Sequence, residues 1–160
     1  MIGWNVRTLA LLSSVGAATT GGAFYAFSTF VMPGLRRLPH AEGISAMNAI
    51  NKAAPSPMFM LAFVGTAAAS VGAGAVAIHR HDHPTSTYLL VGTGLYLAGF
   101  VLTAAYHIPR NDALALVDPA SAASATSWRR YTSGWTRWNH VRTFTSLASA
   151  VAFMFAFRAD

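Results

Sequence analysis

The chain has 160 residues, of which 54% are hydrophobic and only 10% are charged, whereas an ordinary soluble domain has about 25% charged residues. It contains no cysteine, which excludes disulfide bonds, a thiolate nucleophile and thiolate metal sites. The net charge of +6 does not indicate a nucleic-acid partner, because the basic residues lie beside apolar stretches rather than in long runs. By length the chain is a single domain, residues 1–160.

Three long stretches without a charged residue predict membrane-spanning helices. They cover residues 8–35, 53–78 and 84–106, and each exceeds the roughly 20 residues that cross a bilayer as a helix. A soluble four-helix bundle would need a polar stripe on each helix, and these stretches carry none. The first run is also longer than a signal-peptide core of about 7–15 residues. We therefore expect a retained first span over about residues 6–31.

The chain between the first and third spans contains one further helical pattern. Ile44, Met47 and Ile50 have helical spacing, which predicts a short helix in loop one before two prolines. The second span is expected over about residues 58–78 and the third over about residues 88–107. Together with a fourth span, these elements predict an all-α fold, a four-helix transmembrane bundle of one integral-membrane domain.

Two short patterns lie at the ends of the spans. Phe30 and Tyr106 are each followed by two residues and then by proline, which indicates a pair of similar hairpins in parallel orientation. His79, His81 and His83 alternate in loop two, and histidine-rich tracts bind metal. Because only Asp82 lies nearby as a further ligand, an exposed cluster is favoured over a designed metal site.

The fourth apolar stretch, residues 143–157, is too short to cross a bilayer alone. If it spans, it draws Asn139, His140 and Arg142 to membrane depth. We therefore predict a span over about residues 138–157 that continues a long helical loop three.

Loop three is expected to become helical near Pro119, with Asp118 as its cap and Gly134 as a bend. At 100° per residue its aromatic side chains form one stripe, with Asn139 at the edge and three arginines on the other side. The stripe comprises Trp128, Tyr131, Trp135, Trp138 and Arg142. One interpretation is an interfacial helix, with tryptophans at headgroup level and arginines toward anionic lipid. The other is a pocket, since polar groups at that depth usually face the bundle interior or a wet cavity.

A second polar cluster follows the third span. It comprises His107, Arg110, Asn111 and Asp112, and it lies at the same membrane face as the start of the fourth span, so the two clusters can converge. Asn111 and Asp112 could equally cap a helix that starts at residue 113. Both roles stay open.

The residues that could bind a metal or a cofactor predict neither. A di-iron bundle needs several inward carboxylates, whereas this chain has five acidic residues, none inside a predicted span. Haem between His107 and His140 is geometrically conceivable. The chain has no glycine-rich nucleotide motif and no hydrolase motif.

The distribution of Lys and Arg predicts the orientation in the membrane. Loops one and three carry eight of the eleven, whereas the other side carries Arg7, Arg80 and Arg158. The positive-inside rule therefore places loops one and three in the cytoplasm and both termini outside.

Four motifs resemble those of a known family. They are residues 27–33 (FSTFVMP), 46–51 (AMNAIN), 108–114 (IPRNDAL) and 135–142 (WTRWNHVR). They are similar to motifs of the anthrone oxygenase-like family, small four-span membrane proteins long catalogued as a domain of unknown function. The resemblance extends from Gly22 to about Ala150, and the last motif, preceded by Trp128 and Tyr131, is specific. The family more often has Asn at the position of His107.

The resemblance implies oxidation of anthrones to anthraquinones by molecular oxygen, without a metal or organic cofactor. The positions that match the family motifs are Asn111, Asp112, Trp128, Tyr131, Trp135, Arg137, Trp138, Asn139, His140 and Arg142. The expected partners are a hydrophobic small molecule, oxygen and the lipid bilayer, and a homo-oligomer is compatible with the sequence.

On this hypothesis a base removes the acidic C–H proton of the anthrone and donors hold the enolate oxygen. His140 would be the base, with Asp112 less favoured, and Arg142 with Asn139 or Asn111 would hold the oxygen. The substrate would lie against the side chains of Trp128, Tyr131, Trp135, Trp138 and His107.

Two other functions fit the sequence. One is a non-catalytic membrane scaffold or assembly subunit whose Trp/Arg segment docks a partner or lipid. The other is a haem- or quinone-binding redox protein. A pocket lined by Trp135, Asn139 and Arg142 would favour small-molecule chemistry, whereas tight packing of these side chains would favour a scaffold.

Overall fold

The computed structural model describes residues 2–80 and 83–159, with side chains from residue 6 onwards. Its elements are α1 (Ile2–Ala26), the π-helical turn π1 (Phe27–Val31), α2 (Met32–Leu35), α3 (His40–Ala53), α4 (Pro57–His79), α5 (Pro84–Leu102), the π-helical turn π2 (Thr103–His107), α6 (Ile108–Ala115) and α7 (Ser124–Ala159). Of the predicted histidine cluster, His81 and Asp82 lie outside the described residues.

Four helical segments are long and apolar enough to cross a membrane. They are Val6–Leu35, Pro57–His79, Pro84–Ala115 and Ser124–Ala159. Helix α7 packs along α1 and α5, and α4 packs along the same two helices, which closes a four-helix bundle. Helix α3 contacts α6 and the first part of α7 and covers one end. The predicted fold class is confirmed, including the short helix of loop one and the long helix that continues into the fourth span.

Small residues and hydroxyl groups hold the spans together. A Cβ atom on Gly16 would overlap the hydroxyl of Thr66, so α1 and α4 touch almost directly. Hydroxyl groups also donate to backbone carbonyls of neighbouring helices: Ser14 to Ala150 at 2.9 Å, Tyr96 to Phe63 at 2.9 Å and Ser149 to Gly92 at 2.7 Å. Such contacts replace the hydrophobic driving force, which is absent between helices in lipid.

The first and third spans each contain a π-helical turn just before a proline. The N–H of Met32 donates to the carbonyl of Phe27, and the N–H of Ile108 donates to the carbonyl of Thr103, which is the wider register of a π-helix. Pro33 and Pro109 follow directly, each in the first turn of the next α-helix. Proline lacks an N–H and clashes with the preceding turn, and a widened turn accommodates it. The two span ends that look alike in sequence therefore share one local structure.

The buried faces of α4 and α7 agree with this similarity. Every buried position of α4, from Phe63 to Ala77, has a buried counterpart in α7 between Asn139 and Phe153. The separation is the same as that between Pro33 and Pro109. The two hairpins therefore present matching faces to the centre of the bundle.

Two local predictions were wrong. Helix α7 begins at Ser124 rather than near Pro119, because the carboxylate of Asp118 accepts from the N–H of Ala120 at 2.9 Å and forms a tight turn instead of a helix cap. Helix α7 is continuous through Gly134 and into the fourth span, which confirms the expected continuous helix. Asn111 and Asp112 lie inside α6, which begins at Ile108. Neither residue therefore caps a helix that starts at residue 113.

Candidate functional site

A buried polar layer lies at the level of the two π-helical turns. The side-chain N–H groups of Asn139 donate to the carbonyl of Phe24 and to the hydroxyl of Ser28, both at 2.8 Å. Its amide oxygen accepts from Nη2 of Arg142 at 2.6 Å, and Nη1 of Arg142 donates to the hydroxyl of Thr103 at 3.2 Å. The Asn139–Arg142 pair therefore connects α7 to π1 and π2 at once.

The guanidinium of Arg142 is almost completely enclosed, with a side chain 5% exposed. It lies over the ring of Phe24 at 4.2 Å and over the ring of Trp135 at 5.2 Å. Its hydrogen-bond partners are an amide and a hydroxyl, and among the described residues its Nε has none. A cation with only neutral contacts inside a span is costly and is therefore a functional-site hypothesis.

The imidazole of His107 also contacts Trp135 and is enclosed, with 1% of its surface exposed. Its Nδ1 lies 3.4 Å from the carbonyl of Leu102, and its Nε2 lies 3.4 Å from the carbonyl of Trp135. A neutral imidazole donates through only one nitrogen, so it satisfies one of these carbonyls at a time. The ring meets Trp135 edge-on at 5.1 Å.

Asn111 holds the aromatic stripe of α7 to α6. Its amide oxygen accepts from the hydroxyl of Tyr131 at 2.8 Å and from Nε1 of Trp135 at 3.0 Å. Trp128 stacks on Tyr131 with ring centroids 5.8 Å apart. Gly43 of α3 fits against this indole, since a Cβ there would lie 2.7 Å from its Cζ2 atom.

The structure brings together seven of the ten predicted site residues. They are His107, Asn111, Trp128, Tyr131, Trp135, Asn139 and Arg142. Asp112 and His140 are exposed, and Trp138 is 36% exposed and packs on Tyr106. Because His107 is buried and His140 is exposed, the two histidines do not enclose one space for haem. No group of three metal-ligating side chains occurs in the described part of the chain.

One groove runs between α6 and α7. We call it the α6–α7 groove; it has a volume of about 570 Å³, and its described lining includes Tyr106, Arg110, Leu114, Arg130, Tyr131 and Arg137. The guanidinium of Arg110 lies 3.9 Å from the centre of the Tyr106 ring. The hydroxyl of Tyr106 lies over Gly134, where a Cβ would be 2.8 Å away.

A second groove lies on the α2 side of α7. This α2–α7 groove has a volume of about 500 Å³, and its described lining includes Arg36, Trp128, Arg129, Thr136, Arg137 and His140. Arg36 is fixed there, because its Nη2 donates to the hydroxyl of Thr136 at 2.6 Å. The two grooves share Ser133 and Arg137. Neither is lined by Asn139 or Arg142.

Sequence reasoning missed several polar contacts. Ser28 and Thr103 lie in the π-helical turns and bind the Asn139–Arg142 pair. The paired aromatic-x-x-Pro pattern was the available signal for these turns. Tyr106 belongs to the same pattern and also lines the α6–α7 groove. Helical periodicity did not indicate this position.

The comparisons with known proteins agree with the resemblance. A family model described as anthrone oxygenase matches residues 57–152, more than half of the chain. No curated protein and no solved structure matches the chain.

Proposed function

Since the chain belongs to the anthrone oxygenase family, we propose that it is a membrane-embedded oxygenase of flat, polycyclic aromatic substrates that uses no cofactor. Four spans fit a membrane protein of this family. A greasy substrate partitions into the bilayer, so an enzyme within the bilayer meets it at high local concentration.

The reaction needs only a base, a cation and oxygen. A base removes one proton from the methylene group of the anthrone, and the negative charge spreads onto the ketone oxygen. The enolate transfers one electron to O₂, the superoxide and the carbon radical combine to a peroxide, and the peroxide takes back the proton. Loss of water leaves the second carbonyl. One anthrone and one O₂ thus give one anthraquinone and one water.

The α6–α7 groove is the place we assign to the substrate. Its volume lies within the range of about 300–1,000 Å³ that is usual for small-molecule sites. Tyr106 and Tyr131 provide flat walls, and Arg110 and Arg137 provide cations for the enolate oxygen. This combination of aromatic walls and guanidinium groups is the observation that carries the proposal.

His140 is the base in this proposal. It lines the α2–α7 groove and not the α6–α7 groove, so the proposal requires the methylene edge of the substrate to extend past Arg137, which both grooves share. An imidazole can accept and return a proton near neutral pH.

Arg142 lies behind the groove, because Tyr131 packs on Trp135 and Trp135 packs on Arg142. We assign to Arg142 the positioning of these rings.

The test is oxygen uptake by the purified protein in nanodiscs with a chelator and an anthrone. We expect one O₂ consumed per anthraquinone formed. Arg137→Gln should lower the rate about 100-fold, and His140→Ala should lower it at least about 100-fold. Arg158→Gln, at the far end of α7, is the control and should leave the rate unchanged. A rate equal to that of empty nanodiscs would refute the oxygenase.

A non-catalytic scaffold is the second candidate, and one observation favours it. Trp135, Asn139 and Arg142 pack against their own bundle and do not line either groove. A scaffold predicts that the protein copurifies with a partner and that no anthrone is consumed.

We also propose that loops one and three face the cytoplasm. The chain has no cysteine, so single-cysteine variants report sidedness directly. In intact cells an impermeant maleimide should label Arg158→Cys but not Leu116→Cys, whose native side chain is 88% exposed. The reverse pattern would invert the orientation.

A further inference from the structure

We infer that the ligand of the α6–α7 groove is an acidic polycyclic aromatic, one that carries a fixed negative charge such as a carboxylate besides the oxygen at which the enolate forms. This inference rests on the proposed function, because it takes the same groove and narrows its substrate class.

The charge of the groove carries the argument. Arg110, Arg130 and Arg137 line it together, and none of its described lining residues is acidic. Like charges in one groove repel each other unless an anion lies among them. The carboxylates of loop three, Asp112 and Asp118, are exposed, and neither lines this groove.

The proposed reaction uses only part of this charge. A single enolate oxygen needs one or two donors, and Arg137 with Arg110 supplies them. Arg110 is also held in place by the Tyr106 ring, 3.9 Å below its guanidinium. Arg130 is therefore in excess of what the chemistry requires. A guanidinium suits a carboxylate in particular, because its paired N–H groups match the two oxygens.

The polar hydroxyls of the lining fit the same ligand. Ser127 and Ser133 lie along the groove beside the arginines, and each hydroxyl can donate to a carboxylate oxygen. Leu114 and Val117 lie on the α6 side and its following loop, where the apolar ring system would rest. The groove thus combines apolar side chains with three guanidinium groups.

A matched pair of probes tests this inference. Anthraquinone-2-carboxylate and 2-methylanthraquinone differ in charge at one substituent and can be titrated against protein in phosphatidylcholine nanodiscs by quenching of tryptophan fluorescence. We expect the acid to bind about tenfold more tightly, as one charge-assisted contact predicts. This preference should shrink as salt is raised.

Two neighbouring arginines provide the variant and its control. Arg130→Gln should abolish the preference for the acid. Arg129→Gln removes the same charge at the next residue, but Arg129 lines the α2–α7 groove, so its variant should keep the preference. Both side chains are exposed, so neither change removes a buried contact. Equal binding of the two probes to the wild-type protein, or equal effects of the two variants, would overturn the inference.

A phospholipid headgroup offers the same anionic chemistry, and a further arm separates it. Nanodiscs with phosphatidylglycerol should leave the binding of the acid unchanged after correction for surface potential. If this lipid displaces the acid equally from the wild-type protein and from Arg129→Gln, whose α6–α7 groove is intact, the groove is a lipid headgroup site and the inference fails. If the protein oxidises neutral and acidic anthrones equally well, the inference fails but the proposed oxygenase function stands. If the protein binds the acid selectively but oxidises no anthrone, the proposed oxygenase function is wrong and the inference of an acidic ligand stands.

Discussion

The two ends of the bundle differ in the side chains that pack between their helices. One end, the compact end, is built around Val6, Ala10, Ala73, Ala77, Leu89, Phe153 and Ala156. The other, the aromatic end, is built around Met32, Leu35, Ile44, Met47, Leu114, Trp128, Tyr131 and Trp135. Alanine lets backbones approach closely, whereas indole and phenol rings hold them apart. Both grooves open at the aromatic end.

This difference shows where the molecule holds its polar groups. Between the aromatic end and the middle of the bundle lies the Asn139–Arg142 pair, which the two π-helical turns surround. Buried polar groups of this kind depend strongly on the hydrogen bonds that they make. We infer that the compact end supplies the packing that lets the aromatic end keep a buried cation and open grooves.

The largest effect is expected from breaking the polar layer. Asn139→Leu would remove the acceptor of Nη2 of Arg142 and leave the guanidinium with a single hydrogen bond, to Thr103. We expect the free energy of unfolding to fall by about 3 kcal/mol. Reversible unfolding in mixed detergent micelles measures this change.

A double variant sharpens the same prediction. Asn139→Leu combined with Arg142→Met removes the stranded charge, so the pair should be less destabilised than the sum of the single variants. Strict additivity would mean that the two side chains are energetically independent. The polar layer would then not stabilise the aromatic end as a unit.

The sequence predicted much of the aromatic end because its residues follow one helical period. Trp128, Tyr131 and Trp135 face inward as the stripe predicts, and the short fourth apolar stretch correctly indicated that Asn139 and Arg142 are drawn into the bundle. His140 does not belong to this stripe, and it is exposed.

The rest depended on contacts that periodicity does not report. A π-helical turn shifts the register by one residue, so the positions of Ser28 and Thr103 could not be read from an α-helical wheel. The grooves depend on how α6 lies on α7, which follows from long-range contacts such as those of Asn111 with Tyr131 and Trp135.

An intermediate effect is expected from widening the contact between α1 and α4. Gly16→Ala places a methyl group on the hydroxyl of Thr66, and overpacking of this kind costs about 1–3 kcal/mol. Gly22, in the same helix, has no atom within 4 Å of such a methyl group. Gly22→Ala should therefore be neutral or stabilise by up to about 1 kcal/mol. Equal melting temperatures for the two variants would contradict the close approach of α1 and α4.

The smallest effect tests whether the aromatic end depends on a hydrogen bond or only on ring volume. Trp135→Phe removes the N–H that binds Asn111, and one lost hydrogen bond costs about 1 kcal/mol beyond the loss of ring contacts. Trp138, which was predicted to belong to the same stripe, is 36% exposed, so Trp138→Phe loses mainly its contact with Tyr106. In an Asn111→Ala background the penalty of Trp135→Phe should shrink, whereas that of Trp138→Phe should not change. If Asn111→Ala changes neither of the two destabilisations, ring volume alone separates the helices at the aromatic end. The grooves would then persist without the amide of Asn111 that joins α6 to α7.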